Sequence, residues 1–79
     1  SGEINFKVED QKTTIENILK EYPDGNIEFI DGVTIEYDSW WANIRPSNTE
    51  PLLRINVEAN DEKTMNNKIH EISSLIKGD

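Results

Sequence analysis

The sequence LRINVEA at residues 53–59 alternates apolar and polar side chains at every position. Because successive side chains of a β-strand point to opposite faces of the sheet, this pattern predicts a strand with one buried face. Residues 4–8 and 27–37 alternate in the same way, and a further strand is expected at residues 40–45. Asp31 and Gly32 divide residues 27–37 into two arms, and this dipeptide is the strongest short signal for a hairpin. The alternation of apolar and polar residues, divided at Asp31 and Gly32, therefore predicts five strands.

Two other segments carry apolar side chains at helical spacing, and these predict two amphipathic helices. The first stripe is Ile15, Ile18, Leu19 and Tyr22, and the second is Met65, Ile69, Ile72, Leu75 and Ile76. Asp10 can cap the first helix, which Pro23 ends because the residue before a proline is pushed out of the α region. Asn60 or Asp61 can cap the second helix, and Gly78 supplies its stop.

The predicted order of elements is β-α-β-β-β-β-α, which indicates an α+β fold with an antiparallel sheet and two helices on one face. The chain shows no internal repeat and no linker, so residues 1–79 are expected to form a single domain. Ser1 and Gly2, with no initiating methionine, resemble an expression remnant in front of an excised piece. The expected aromatic core contains Tyr22, Phe29, Tyr37 and the tandem Trp40 and Trp41, and which of the two tryptophans is buried stays open.

The composition describes an acidic chain with a thin core. Of its 79 residues, 34% are hydrophobic and 30% are charged, and the formal net charge is −8. A free nucleic-acid binder would instead be basic, because neutralising phosphates supplies most of its affinity, and an anionic membrane would repel this chain. The absence of cysteine excludes a disulfide framework and a cysteine zinc site. With no signal peptide and no apolar run near the ~20 residues that span a bilayer, a cytoplasmic domain is expected.

The charges are unevenly distributed along the chain. Residues 1–38 carry ten acidic and three basic side chains, whereas residues 39–57 carry one acidic side chain and both arginines, Arg45 and Arg54. Arginine suits the forked recognition of phosphate or carboxylate, so its confinement to the least acidic stretch is informative. The remaining carboxylates, and the single histidine His70 beside the stripe of the second helix, are expected to be solvated.

A segment between two predicted strands, residues 46–51 (PSNTEP), carries a specific set of polar groups. Its two prolines lack N–H groups, which excludes the segment from the interior of a sheet. Arg45 offers a fork of donors, Ser47 and Thr49 offer hydroxyls, and Asn48 offers an amide. Together these groups can surround a tetrahedral anion without a metal. The alternative is a rigid surface turn, because serine, asparagine and threonine are also common turn residues.

The segment RPSNTEPLLR at residues 45–54, followed by VEA at residues 57–59, resembles the C-terminal domain of the α-D-phosphohexomutases. The hairpin signal at residues 31–33 and Trp41, four residues before Arg45, are also similar to that domain. The resemblance implies a TATA-box-binding-protein-like β-α-β4-α fold. It also implies a parent isomerase (an intramolecular phosphotransferase of carbohydrate metabolism) that interconverts hexose 1-phosphates and 6-phosphates, using a phosphoserine and Mg²⁺ held in other domains.

The resemblance also assigns roles to individual residues. Those implied to grip the substrate phosphate that is not being transferred are Arg45, Ser47, Asn48 and Thr49. Those implied to shape the loop or to support it are Pro46, Glu50, Pro51 and Arg54. The candidate ion-pair partners of Arg54 are Glu50 and Glu58. No catalytic residue and no metal ligand is implied in this chain. Its expected partners are the phosphosugar and the other domains of the parent enzyme, and the isolated domain is expected to be inactive.

Asn48 bears on the branch of the family, since the glucosamine-phosphate mutases tend to carry glycine at this point of the loop. An asparagine here is similar to the phosphoglucomutase and phosphomannomutase branch. Two alternatives stay open. One is the same domain of a glucosamine-phosphate mutase, and the other is a non-enzymatic acidic interaction module with an anion-binding loop.

Overall fold

In a computed structural model, which describes residues 2–29 and 32–78, the chain forms five strands and two helices in the predicted order. The elements are β1 (Gly2–Lys7), α1 (Gln11–Lys20), β2 (Asn26–Glu28), β3 (Val33–Glu36), β4 (Trp40–Pro46), β5 (Leu52–Ala59) and α2 (Glu62–Lys77). Ser1 of the suggested remnant and Asp31 of the hairpin signal lie outside the described residues. The α+β class predicted from the sequence is confirmed.

The strands form one antiparallel sheet in the order β1-β5-β4-β3-β2. The strand that carries the longest alternation, β5, lies between β1 and β4. Its register places Arg54 directly opposite Asn5 of β1 on one side and opposite Arg45 of β4 on the other. The two arginines of the chain therefore occupy neighbouring positions on the same face of the sheet.

The opposite face of the sheet forms the core together with the two helices. The largest fully buried side chains come from three strands of this sheet and from each helix, and they are Ile18, Ile35, Ile44, Leu53, Ile55, Val57 and Ile72. Each aliphatic side chain of this kind stabilises the fold by about 1.5–3 kcal/mol on burial. Because both helices pack against this face, no helix of the described residues covers the face that carries the arginines.

The aromatic core differs from the sequence prediction at one position. Phe29 is 73% exposed, so its assignment to the core was wrong. It follows the last paired residue of β2, and the pleat of the strand therefore no longer directs its ring inward. Trp40 is 5% exposed and Trp41 36% exposed, so Trp40 is the buried tryptophan. Trp40 stacks on Tyr37 with ring centroids 5.1 Å apart.

Both helices begin at the predicted aspartates. The Asp10 carboxylate accepts a hydrogen bond from the Thr13 N–H at 3.1 Å, and the Asp61 carboxylate accepts one from the Thr64 N–H at 2.7 Å. These backbone bonds, with further bonds from the two threonine hydroxyls, hold the pKa of both aspartates below the ordinary value. Asp61 rather than Asn60 is thus the cap of α2. The cap of α1 also fixes the position of Gln11, the first residue of this helix.

A second polar anchor joins the end of α1 to α2. The hydroxyl of Tyr22, a residue buried against Trp40, donates a 3.0 Å hydrogen bond to the Glu71 carboxylate. Lys68 lies 3.3 Å from the same carboxylate and 5.0 Å from the centre of the Trp40 ring. Burial, and then the bond and charge of Glu71, raise the pKa of Tyr22 above its ordinary value.

This raised pKa predicts a loss of stability in alkali. Between the unfolded pKa of tyrosine, about 10, and the higher folded value, only the folded state keeps the Tyr22 proton. The stability that the Tyr22 hydroxyl contributes is therefore fully present below pH 10. Above pH 10 the free energy of unfolding should fall by about 1.4 kcal/mol per pH unit. Urea unfolding of Tyr22→Phe should lack this slope. The matched variant Tyr37→Phe changes a ring of the same aromatic cluster and should keep the decline of stability with pH. If Tyr22→Phe declined as steeply as the wild type, the decline would not come from the Tyr22 hydroxyl.

Candidate functional site

The helix-free face of the sheet presents the two arginines side by side. Arg45 on β4 and Arg54 on β5 are paired across the strands, and both are exposed. Like charges directly opposite each other destabilise a sheet. The repulsion between Arg45 and Arg54 therefore lowers the stability of the folded chain. An anion placed between the two guanidinium groups would relieve this repulsion.

One of the two positive charges is partly balanced within the chain. The Arg54 Nε lies 3.5 Å from a carboxylate oxygen of Glu3, on the neighbouring strand β1. The expected partners Glu50 and Glu58 make no such pair with Arg54 in the described part of the chain. Among the same residues Arg45 has no ion pair, so its guanidinium is the more available for an external anion.

A pocket of about 240 Å³ opens beside the arginine pair. It is lined by Asn5, Arg45, Pro46, Ser47, Glu50, Leu52 and Arg54. Its volume is below the roughly 300–1,000 Å³ typical of sites for whole small molecules and is suited to one small group such as a phosphate. The structure thus brings Arg45 and Ser47 together with Arg54, whereas Asn48 and Thr49 are exposed on the loop beside the pocket.

The loop that bounds this pocket is held by the Ser47 hydroxyl. The Ser47 Oγ accepts hydrogen bonds from the N–H groups of Thr49 and Glu50, each at 3.3 Å, and lies 3.5 Å from the Thr49 Oγ1. At the base of the loop the Ser47 N–H donates to the Leu52 carbonyl at 3.0 Å. Two of these bonds use the oxygen as an acceptor, so the hydroxyl hydrogen can donate either to the Thr49 Oγ1 or to an anion in the pocket.

One residue that sequence reasoning missed also holds the loop. Gln11, the first residue of α1, donates from its Nε2 to the carbonyls of Ser47, Glu50 and Leu52 at 3.0, 3.2 and 2.7 Å. These partners lie 36–41 residues away along the chain. No local pattern predicts such a contact, because it depends on how α1 packs beside the end of the sheet.

Metal sites, histidine chemistry and membrane spans each require particular side chains, and the described residues bear on all three. In residues 2–29 and 32–78, no group of three or more histidine and carboxylate side chains is placed to share a metal ion. His70 is exposed on α2, as expected. Neither described helix has the length and apolar character needed to cross a membrane. The groups that the pocket and its loop present are guanidinium, hydroxyl and backbone N–H donors, which are suited to an anion.

Comparisons with known proteins identify the family to which this chain is similar. Residues 3–75 match the family described as phosphoglucomutase/phosphomannomutase, C-terminal domain. A phosphomannomutase of Methanocaldococcus jannaschii is 55% identical over 76 residues, 96% of this chain. A phosphomannomutase of Vibrio cholerae is 48% identical over 80 residues, and a probable phosphoglucosamine mutase of Pyrococcus horikoshii is 36% identical over 77 residues, each covering 98% of this chain.

The chain spans 17% of the length of each of these three relatives. The matched residues include every residue that lines the pocket and the whole loop at residues 46–51. The chain belongs to the family of C-terminal domains of the phosphoglucomutases and phosphomannomutases.

Proposed function

We propose that this chain is the domain that binds the substrate phosphate in a mutase interconverting hexose 1-phosphates and hexose 6-phosphates. The observation that carries the proposal is the arginine pair, Arg45 and Arg54, at the wall of one small pocket closed by the Ser47 loop. The names of the relatives support a phosphohexomutase as the parent enzyme.

The chemistry of the loop suits a substrate that must bind in two orientations. Guanidinium, hydroxyl and amide donors recognise a phosphate without reading the stereochemistry of the sugar. Arg45 supplies a fork of charged donors at the pocket, and Ser47 supplies a hydroxyl. Asn48 and Thr49 are exposed beside them, where a phosphosugar entering from the solvent side would meet them. Each hydrogen bond to a charged group contributes about 1.5–3 kcal/mol, so a few suffice to anchor the substrate.

The reaction itself belongs, in this proposal, to the other domains of the parent enzyme. Those domains would supply the phosphoserine and the Mg²⁺ site, and among the described residues of this chain no three histidine or carboxylate side chains are placed to share a metal ion. The part of this domain is to hold the phosphate that is not transferred and to exclude water when the cleft closes. The proposed setting is the cytoplasm, and no nucleic acid or membrane is involved.

Asn48 favours the phosphoglucomutase and phosphomannomutase branch over the glucosamine-phosphate branch. The relatives include members of both branches, and two named phosphomannomutases are 55% and 48% identical, against 36% for a probable phosphoglucosamine mutase. No feature of the described site favours the alternative of a non-enzymatic interaction module.

A substrate panel tests this proposal. The parent enzyme should convert mannose 1-phosphate or glucose 1-phosphate with a kcat/KM at least about tenfold above that for glucosamine 1-phosphate. The isolated 79-residue chain should convert none of the three, because the proposal places the nucleophile and the metal site in the other domains. A preference for glucosamine 1-phosphate would move the protein to the other branch, and turnover by the isolated chain would overturn the division of labour between the domains.

A further inference from the structure

We propose that Gln11 is a positioning residue for the phosphate loop. It turns the peptide between Ser47 and Asn48 so that the Asn48 N–H faces the bound phosphate. The inference rests on the function proposed above and adds to it a residue outside the loop and a backbone donor. Gln11 does not touch the phosphate itself.

The contacts of Gln11 are concentrated on a single atom. Its Nε2 carries two hydrogens and lies within 3.2 Å of three carbonyl oxygens, those of Ser47, Glu50 and Leu52. The side chain is half-buried, and its helix position is fixed by the Asp10 cap. A neutral amide is suited to this place, because it satisfies carbonyl groups without changing the charge of the neighbouring pocket.

The direction of one carbonyl determines the direction of the next N–H. The peptide bonds of the described chain are trans, so the C=O of Ser47 and the N–H of Asn48 lie in one plane and point in opposite directions. Gln11 lies on the helix side of the loop, where it shares an apolar groove with Pro46. The Asn48 N–H is thereby turned away from α1, toward the helix-free side on which Arg45 lies.

The Asn48 N–H is also the one loop amide left available. The amides of Thr49 and Glu50 donate to the Ser47 Oγ, and the amide of Ser47 donates to Leu52. For Asn48 no acceptor is found in the described part of the chain. An exposed N–H beside a guanidinium is the arrangement by which backbone groups bind anions.

Kinetics of the parent enzyme test this role. Gln11→Leu removes the donors at similar volume, and the ordered loop should become a minor state. Because apparent affinity falls with the fraction of the competent state, KM for the hexose phosphate should rise about tenfold while kcat stays within about threefold. The matched control is Asn17→Leu, which replaces an exposed amide on the same helix and should leave both constants unchanged. If Gln11 only stabilised the fold, Gln11→Leu would instead lower kcat and the melting temperature and leave KM unchanged.

A second measurement needs no substrate. In the 79-residue chain, hydrogen exchange of the Ser47 amide should accelerate at least about tenfold in Gln11→Leu and not in Asn17→Leu. Unchanged exchange, or an unchanged KM in an enzyme whose KM responds to Arg45→Ala, would overturn the role of Gln11 and leave the proposed function intact. If neither Gln11→Leu nor Arg45→Ala changes KM, but hydrogen exchange of the Ser47 amide accelerates in Gln11→Leu, the proposed function is wrong. The contact between Gln11 and the loop is then still supported.

Discussion

Replacing Arg45 with alanine in the parent enzyme should raise KM for the hexose phosphate and lower kcat/KM by roughly 30–150-fold, which corresponds to a loss of about 2–3 kcal/mol. Arg45 is the arginine of the pocket that has no ion pair within the described residues, so its full charge is available to the phosphate. Steady-state rates at saturating substrate give kcat, and rates at limiting substrate give kcat/KM, so the two effects can be measured separately.

Two further variants make this result specific. Arg45→Lys keeps the charge and loses the forked geometry, so its kcat/KM should lie between those of the wild type and Arg45→Ala. Lys63→Ala removes an exposed charge on α2, away from the pocket, and should leave the kinetics unchanged. If Arg45→Ala stays within about threefold of the wild type, Arg45 does not belong to the site.

The second large effect is expected at Gly32, where the hairpin meets β4. Its φ is +93°, and an added Cβ would collide with the carbonyl oxygen of Ile44 and lie 3.1 Å from the Cα of Arg45. Because a backbone carbonyl cannot swing aside, Gly32→Ala must push β3 away from β4, and we expect a loss of about 3–4 kcal/mol. For 79 residues the whole free energy of unfolding is about 4–12 kcal/mol, so urea unfolding should show the change clearly.

Gly78 provides the matched control for this substitution. Its φ is +78°, similar to that of Gly32, but no atom lies within 4 Å of an added Cβ. Gly78→Ala should therefore cost only the strain of the left-handed conformation, about 1–2 kcal/mol. Equal losses in the two variants would show that crowding against β4 contributes nothing.

The strands and helices could be predicted because their signals are local. The alternation at residues 53–59 fixes which side chains of β5 are buried, and the caps at Asp10 and Asp61 follow from short-range hydrogen bonds. The guanidinium, hydroxyl and amide groups of residues 45–49, on which the proposed anion site rests, could be listed from the sequence because they lie next to one another in the chain.

The features that could not be predicted depend on register and packing. The pairing of Arg54 with Glu3, and its position opposite Arg45, require the order of the strands in the sheet. The three bonds of Gln11 require the placement of α1 beside the loop. Phe29 was assigned to the core because it continues an alternation, and the strand ends one residue before it.

The most direct test of the central claim is an NMR titration of the 79-residue chain with glucose 6-phosphate, following the backbone amides. Binding should be weak because the rest of the cleft is missing. The account predicts saturable shifts that centre on residues 45–54, include the Asn48 amide and disappear in Arg45→Ala. Loop amides that do not move, or that move equally in Arg45→Ala, would contradict it.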